Sequence, residues 1–155
     1  MTIYADTHFF TSLYCTGPNN AEAVRLDASI KSSSFEGYPI TAIGRFDLIN
    51  ALQQSVFSTR QGVPGVRLTP EYALVIEAMF FKHLATGQYL RDAACNEAAL
   101  EKQFRALSHR QTAKEGFRTY DIHHVSSALV LGCDTFWSFD ARAKKLAKLE
   151  GLAVN

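Results

Sequence analysis

The sequence predicts an α/β protein whose parallel central sheet is covered by helices on both faces. Three observations carry that prediction. Short apolar runs alternate with longer stretches of helical periodicity; a run such as 135–139 fits a strand buried on both sides; and the runs at 2–5 and 135–139 each break at an aspartate, Asp6 or Asp140. In such sheets the reacting groups collect at the carboxyl edge, where strands end and helices begin.

The elements follow in order. Ile3 and Tyr4 mark a short first strand. Phe9, Phe10, Leu13 and Tyr14 form a short helix stopped by Gly17 and Pro18. Asn19 or Asn20 caps a second helix through Ala23, Leu26 and Ile30, with a soft end at Ser32, Ser33 and Ser34. Residues 39–43 read as a second strand running directly into a helix through Phe46, Ile49, Leu52 and Val56. Gly62, Pro64 and Gly65 mark a loop. Thr69 and Pro70 then supply an N-cap and a first-turn proline for a helix reaching Gly87. A further helix begins at Asn96 and carries Ala99, Leu100, Phe104 and Leu107. Beyond 117–120, Asp121 opens a helix through Val125, Leu129 and Val130 that Gly132 closes. After the strand at 135–139, a last helix runs over 142–150 with Gly151 as its stop.

The 155 residues are expected to form one domain, 1–155, with a single core. With 47% hydrophobic and 20% charged residues, the composition excludes disordered, collagenous and membrane classes. Sixteen Lys+Arg against fifteen Asp+Glu leave a net charge of +1, so any nucleic-acid binding has to be local rather than driven by bulk charge. Cys15, Cys95 and Cys133 are too scattered for a disulfide framework or a zinc site, which points to a reducing compartment. No stretch reads as a signal peptide or membrane span, and a cytoplasmic protein without membrane contact is expected.

Four aspartates stand out: Asp6, Asp47, Asp121 and Asp140. Taken singly, Asp121 and Asp140 read as helix N-caps worth about 1 kcal/mol, and Asp47 as part of a solvated helix face. Taken together, all four fall where one edge of a parallel sheet can gather them. Two carboxylates about 4 Å apart repel by about 4 kcal/mol at an effective dielectric near 20, so such a cluster needs a cation. Oxygen-only ligation suits Mg²⁺ or Mn²⁺ rather than zinc.

The segments IYADTHFF, TAIGRFDLINAL, GFRTYDIHHVSSALVLG and TFWSFDARAKKLAKLEGL resemble, in order and spacing, the PIN-domain family, and most closely its bacterial VapC-type toxins. The resemblance is most specific over 118–152 and least over 58–96. Asp6 with Thr7 matches the family's first acid and its hydroxyl neighbour. Asp47 before Asn50, Ala51 and Leu52 matches the second, where family members usually have Glu. Arg118, Asp121, His124 and Ala128 match the third motif, and Ser138 with Asp140 the fourth. Ser126 and Ser127 stand where alanines are common.

The resemblance implies a three-layer α/β/α fold and a metal-dependent endoribonuclease, the toxin of a type II toxin–antitoxin pair. On that reading Asp6, Asp121 and Asp140 are the metal ligands, and Asp47, shorter by a methylene than glutamate, orients the attacking water or completes the shell. Thr7, Ser138, Asn50 and His124 are the supporting residues behind them. Carboxylates that hold Mg²⁺ or Mn²⁺ lower the pKa of a bound water and screen the phosphodiester, which is the chemistry RNA hydrolysis requires. Arg118 and Arg142 flank two of the acids; they bind RNA phosphates, neutralise the acids, or are solvated surface residues. His123 and His124 point about 100° apart on a helix and cannot chelate one ion together. The expected partners are RNA, a VapB-like antitoxin and a second copy of the chain, with 18–34 and 70–87 as walls of the groove and dimer face. Two other classes compete. A degenerate PIN fold serving as a protein-binding module draws on the Asp47 departure, while an aspartyl-phosphate phosphohydrolase wants a second Asp where the chain has His8.

Overall fold

The computed structural model describes residues 2–30, 35–65 and 67–155. Along the chain these form β1 (Ile3–Ala5), α1 (Thr7–Tyr14), α2 (Asn20–Ser29), β2 (Tyr38–Ile40), α3 (Ala42–Arg60), α4 (Pro70–Thr86), β3 (Leu90–Asp92), α5 (Glu97–Leu107), a π-helical turn (Ser108–Thr112), α6 (Ala113–Glu115), α7 (Thr119–Val130), β4 (Thr135–Trp137), α8 (Ala141–Leu149) and β5 (Ala153–Val154). Every ladder is parallel. One sheet has the order β1-β4-β5 and the other pairs β2 with β3, with β2 lying alongside β1.

The strands sort their side chains by alternation. Ile3, Ala5 and Trp137 face a core filled by Phe9 and Phe10 of α1, Leu48, Leu52 and Val56 of α3, and Ile76 and Phe80 of α4. Tyr4 and Phe136 face the other side, against Leu107 of α5, Ile122 and Val125 of α7, and Leu146 of α8. The result is a three-layer α/β/α fold, as the alternation of strand and helix implied.

Short side-chain bonds set the element boundaries. The Thr41 hydroxyl accepts from Gly44 N at 3.2 Å, so β2 stops at Ile40 and does not reach residue 43. β4 stops at Trp137, short of Phe139, because Ser138 N donates to the Asn155 side chain at 2.9 Å and the Ser138 hydroxyl accepts from Asp140 N at 2.9 Å. Thr69 accepts from Tyr72 N and, with Pro70 behind it, starts α4; Asn96 accepts from Ala99 N and starts α5. Asp121 lies inside the first turn of α7, which begins at Thr119. Two strands escape the sequence pattern: β3 carries two charged residues in three, and β5 is two residues long. The soft end expected at Ser32, Ser33 and Ser34 lies outside the described residues. Gly37, at φ +89°, turns the chain into β2 where an added Cβ would meet the Tyr89 carbonyl oxygen at 3.0 Å, so only glycine fits without strain.

Phe9 is fully buried and touches Trp137, Tyr38 and Phe139 at ring separations of 5.2, 5.7 and 6.2 Å. It joins α1 to β2, β4 and the loop that leads to Asp140. Phe9→Ala is expected to lower unfolding stability by about 3–5 kcal/mol in urea denaturation. A loss below about 1 kcal/mol would show that this ring does not hold the layers together.

Candidate active site

The carboxyl edge of the sheet gathers the four aspartates. Asp6, Asp47, Asp121 and Asp140 line one cavity of about 210 Å³ together with Thr7, His8, Arg118, Tyr120, His124 and Ala143. Each arrives there for a local reason. Asp6 follows β1 directly and Asp140 follows β4 after Ser138 and Phe139, and they are the N-caps of α1 and α8. Asp121 sits in the first turn of α7, and Asp47 about a turn and a half into α3.

The capping and cavity-lining roles coexist because a carboxylate has two oxygens. Asp6 Oδ1 accepts from Phe9 N at 3.0 Å, Asp121 Oδ2 from Arg118 N at 2.9 Å, and Asp140 Oδ1 from Arg142 N and Ala143 N at 2.7 and 3.2 Å. The second oxygen of each lies outside these bonds. Three helix N-termini thereby point their positive ends at the cavity and offset part of the cost of holding acids there. At Asp6 the offset is incomplete. Burial pushes its carboxyl above the ordinary aspartate value, although His124, the Ser138 hydroxyl, Phe9 N and His8 all favour the ionised form.

Asp47 is held differently. Burial acts to raise its pKa, but a hydrogen bond from His124, the nearby Thr7 hydroxyl and the rings of His124 and His8 outweigh it and keep the carboxyl below its ordinary value. Thr7 favours the ionised form by proximity without reaching hydrogen-bonding geometry; its Oγ1 is buried and has no partner. His124 Nε2 lies 3.2 Å from Asp47 Oδ2, and its Nδ1 lies 2.9 Å from the Tyr4 hydroxyl. A carboxylate only accepts, so Nε2 donates to Asp47; in the neutral ring, Nδ1 then accepts from Tyr4. Burial raises the Tyr4 phenol well above the tyrosine range, which keeps that donor proton in place. The chain Tyr4–His124–Asp47 thus runs from the core beneath α7 to the cavity.

Two residues singled out in the sequence do not line this cavity. Asn50, three residues beyond Asp47 and almost a turn further along α3, is exposed and lines a neighbouring cleft that Asp47 also borders. Arg142 is also outside the cavity, where its guanidinium donates to the Gly116 carbonyl at 3.2 Å. Arg118 does line the cavity and is exposed. Ser138 is fully buried and joins Asp140 N to the surroundings of Asp6. Tyr120, 52% exposed at the rim, and Tyr4, beneath it, went unnoticed in the sequence. An aromatic residue immediately before an acid in a helix's first turn is a usable signal for Tyr120; Tyr4 reads only as a strand residue.

Among the described residues, no three His, Cys, Asp or Glu side chains stand close enough together to ligate an ion unaided. The donor set still suits a hard divalent cation. It is all oxygen, it contains a buried carboxyl short of compensating charge, and Mg²⁺ keeps several waters that span from ion to carboxylate. Removing the Tyr4 hydroxyl leaves the buried His124 Nδ1 unpaired, so Tyr4→Phe should cost about 1–3 kcal/mol in thermal or urea unfolding. An unchanged stability would mean that this bond contributes nothing to the scaffold.

No family model and no curated protein sequence matches the chain. Among solved structures, the chain is similar to Mycobacterium tuberculosis VapC20, described as a sarcin-ricin loop cleaving toxin, with a TM-score of 0.64 and 16% sequence identity over 93% of this chain and 94% of that one. At this identity the likeness is one of fold, and it agrees with the PIN-like three-layer α/β/α architecture that the resemblance implied.

Proposed function

We propose that this protein is a divalent-metal-dependent endoribonuclease, the toxin of a toxin–antitoxin pair. The observation that carries the reading is the convergence of Asp6, Asp47, Asp121 and Asp140 on one cavity at the end of a parallel sheet. The fold likeness to an RNA-cleaving toxin supports it.

In this reading Asp6, Asp121 and Asp140 would hold Mg²⁺ or Mn²⁺, in part through waters that the ion keeps. When bound, the ion activates a water and neutralises charge on the phosphodiester. Asp47, kept ionised by His124, accepts a hydrogen bond from the attacking water and aims it. Arg118 at the rim pairs with a phosphate oxygen, and Tyr120 offers a face on which an unpaired base stacks. Beyond Asp140, Arg142, Lys145 and Lys148 lie on the exposed side of α8 at spacings of three residues, with Lys145 paired to Glu115, which leaves Arg142 and Lys148 as local basic groups in a chain of net charge +1. The antitoxin is the second partner in this proposal, covering the cavity when the nuclease is restrained.

Purified protein is expected to cut RNA with Mg²⁺ or Mn²⁺ and to stop in EDTA. Asp6→Asn, Asp121→Asn and Asp140→Asn should each lower the rate by at least about a hundredfold. Without metal, Asp6→Asn should melt about 2–4 °C higher than the parent, because it removes a buried charge while keeping the acceptor for Phe9 N. Metal should raise the melting temperature of the parent and leave the variant unmoved. Cleavage that persists in EDTA or in all three variants would contradict the proposal.

The same reading includes a homodimer. Tyr72, Val75 and Met79 lie along one exposed face of α4, with Val75 57% exposed. Sedimentation is expected to show a dimer for the parent and a monomer for Val75→Glu; a monomeric parent would remove the dimer from the account.

A further inference from the structure

A second cavity, of about 440 Å³, opens between α1 and α3 beside the acid cavity, and Thr7, His8 and Asp47 line both. Its other walls have a different character. Among the described residues no lysine or arginine lines it, so it has no cation with which to hold a phosphate. Three carboxamides line it instead: Asn19, Asn50 and Gln54. Asn50 and Gln54 sit one turn apart on α3, both exposed. Asn19 occupies the N-cap of α2 yet makes no capping bond through its side chain. The neighbouring residue Asn20 spends its amide on the Ser12 and Leu13 carbonyls at 2.9 and 3.2 Å, which ties α2 to the end of α1 and fixes the far wall. The hydroxyls of Thr11 and Ser55 donate back into their own helices, at 2.9 Å in each case, and keep their acceptor lone pairs.

Resting on the ribonuclease reading above, we propose that this cleft takes one unpaired nucleobase of the RNA, flanking the phosphodiester held at the acid cavity, and selects it through Asn50 and Gln54. A carboxamide presents a donor and an acceptor side by side, the pattern that reads a base edge bidentately. A polar pocket large enough for a purine, with no lysine or arginine and with the Asp47 carboxylate on the edge it shares with the acid cavity, admits a base and disfavours a phosphate. Recognition of unpaired bases by their exposed edges is the usual route to sequence preference in RNA. Because Asp47 lines both cavities, a base seated here lies next to the group that aims the attacking water.

The test uses the four free nucleosides, which carry no phosphate and so bypass the acid cavity. In ¹⁵N-labelled intact protein, titration is expected to shift the backbone amides of Asn19, Asn50, Gln54 and Ser55, with one or two nucleosides preferred. Asn50→Ala/Gln54→Ala should weaken that binding about tenfold and flatten the preference while the rest of the spectrum stays in place. In parallel, sequencing the products of a random single-stranded RNA pool should show a preferred base within two nucleotides of the cut in the parent and none in the double variant. Amides of the cleft that stay unmoved by every nucleoside at millimolar concentration would overturn the assignment, whether or not RNA is cut, and leave a peptide as the alternative occupant. Binding at the cleft without any RNA cleavage would uphold the base site and overturn the nuclease reading instead.

Discussion

Four carboxylates line one cavity where the parallel strands end, and the cost of burying acids there has to be balanced by the rest of the structure. The balance comes first from backbone. β1 and β4 deliver Asp6 and Asp140 to the N-termini of α1 and α8, and the first turn of α7 brings Asp121, so that each acid accepts from main-chain N–H groups. It comes next from a side chain, since His124 donates to Asp47 and is steadied by Tyr4 from below. What remains is the excess at Asp6, whose carboxyl is buried and disfavoured as an anion. A bound cation would remove that excess, so the proposed metal site and the stability of the metal-free fold pull in opposite directions on the same residue.

The packing serves this arrangement. Phe9 stands one turn behind the cap it donates to, and its ring lies against Trp137 and Phe139, on the segment that leads from β4 to Asp140. Two of the acids are therefore positioned by one aromatic contact cluster as well as by their own helices. On the opposite face, Tyr4 stacks on Phe136 at 5.8 Å while its hydroxyl reaches His124. One residue of β1 thus contributes to the second core and to the polar chain that holds Asp47.

Much of this was legible in the sequence. Asp6 and Asp140 announce themselves by following short apolar runs, and Thr69, Pro70 and Asn96 mark helix starts that the structure keeps. The acids appeared to face a choice between capping and chemistry, because a sequence does not show that one oxygen is enough for a cap. β3 and β5 were hidden because short edge strands with charged or few residues carry no apolar alternation to read. Asn50 stands out only through its match to the family motif after Asp47, and the sequence does not show that the helical rise turns it toward a second cleft that Asp47 also borders. Tyr4 was invisible as a polar residue, since what matters is the reach of its hydroxyl across the layer to His124. The second cleft also lay beyond reach, because its walls come from α1, α3 and the start of α2 and share no local pattern.

The central claim is that the carboxylate cavity is built to hold a divalent cation. Crystals of the protein soaked in Mn²⁺ and measured at the manganese absorption edge test it most directly. The account predicts an anomalous peak in the cavity bounded by Asp6, Asp121 and Asp140, absent in Asp6→Asn. A parent protein with no peak there, or with manganese bound only at other surface acids, would contradict it.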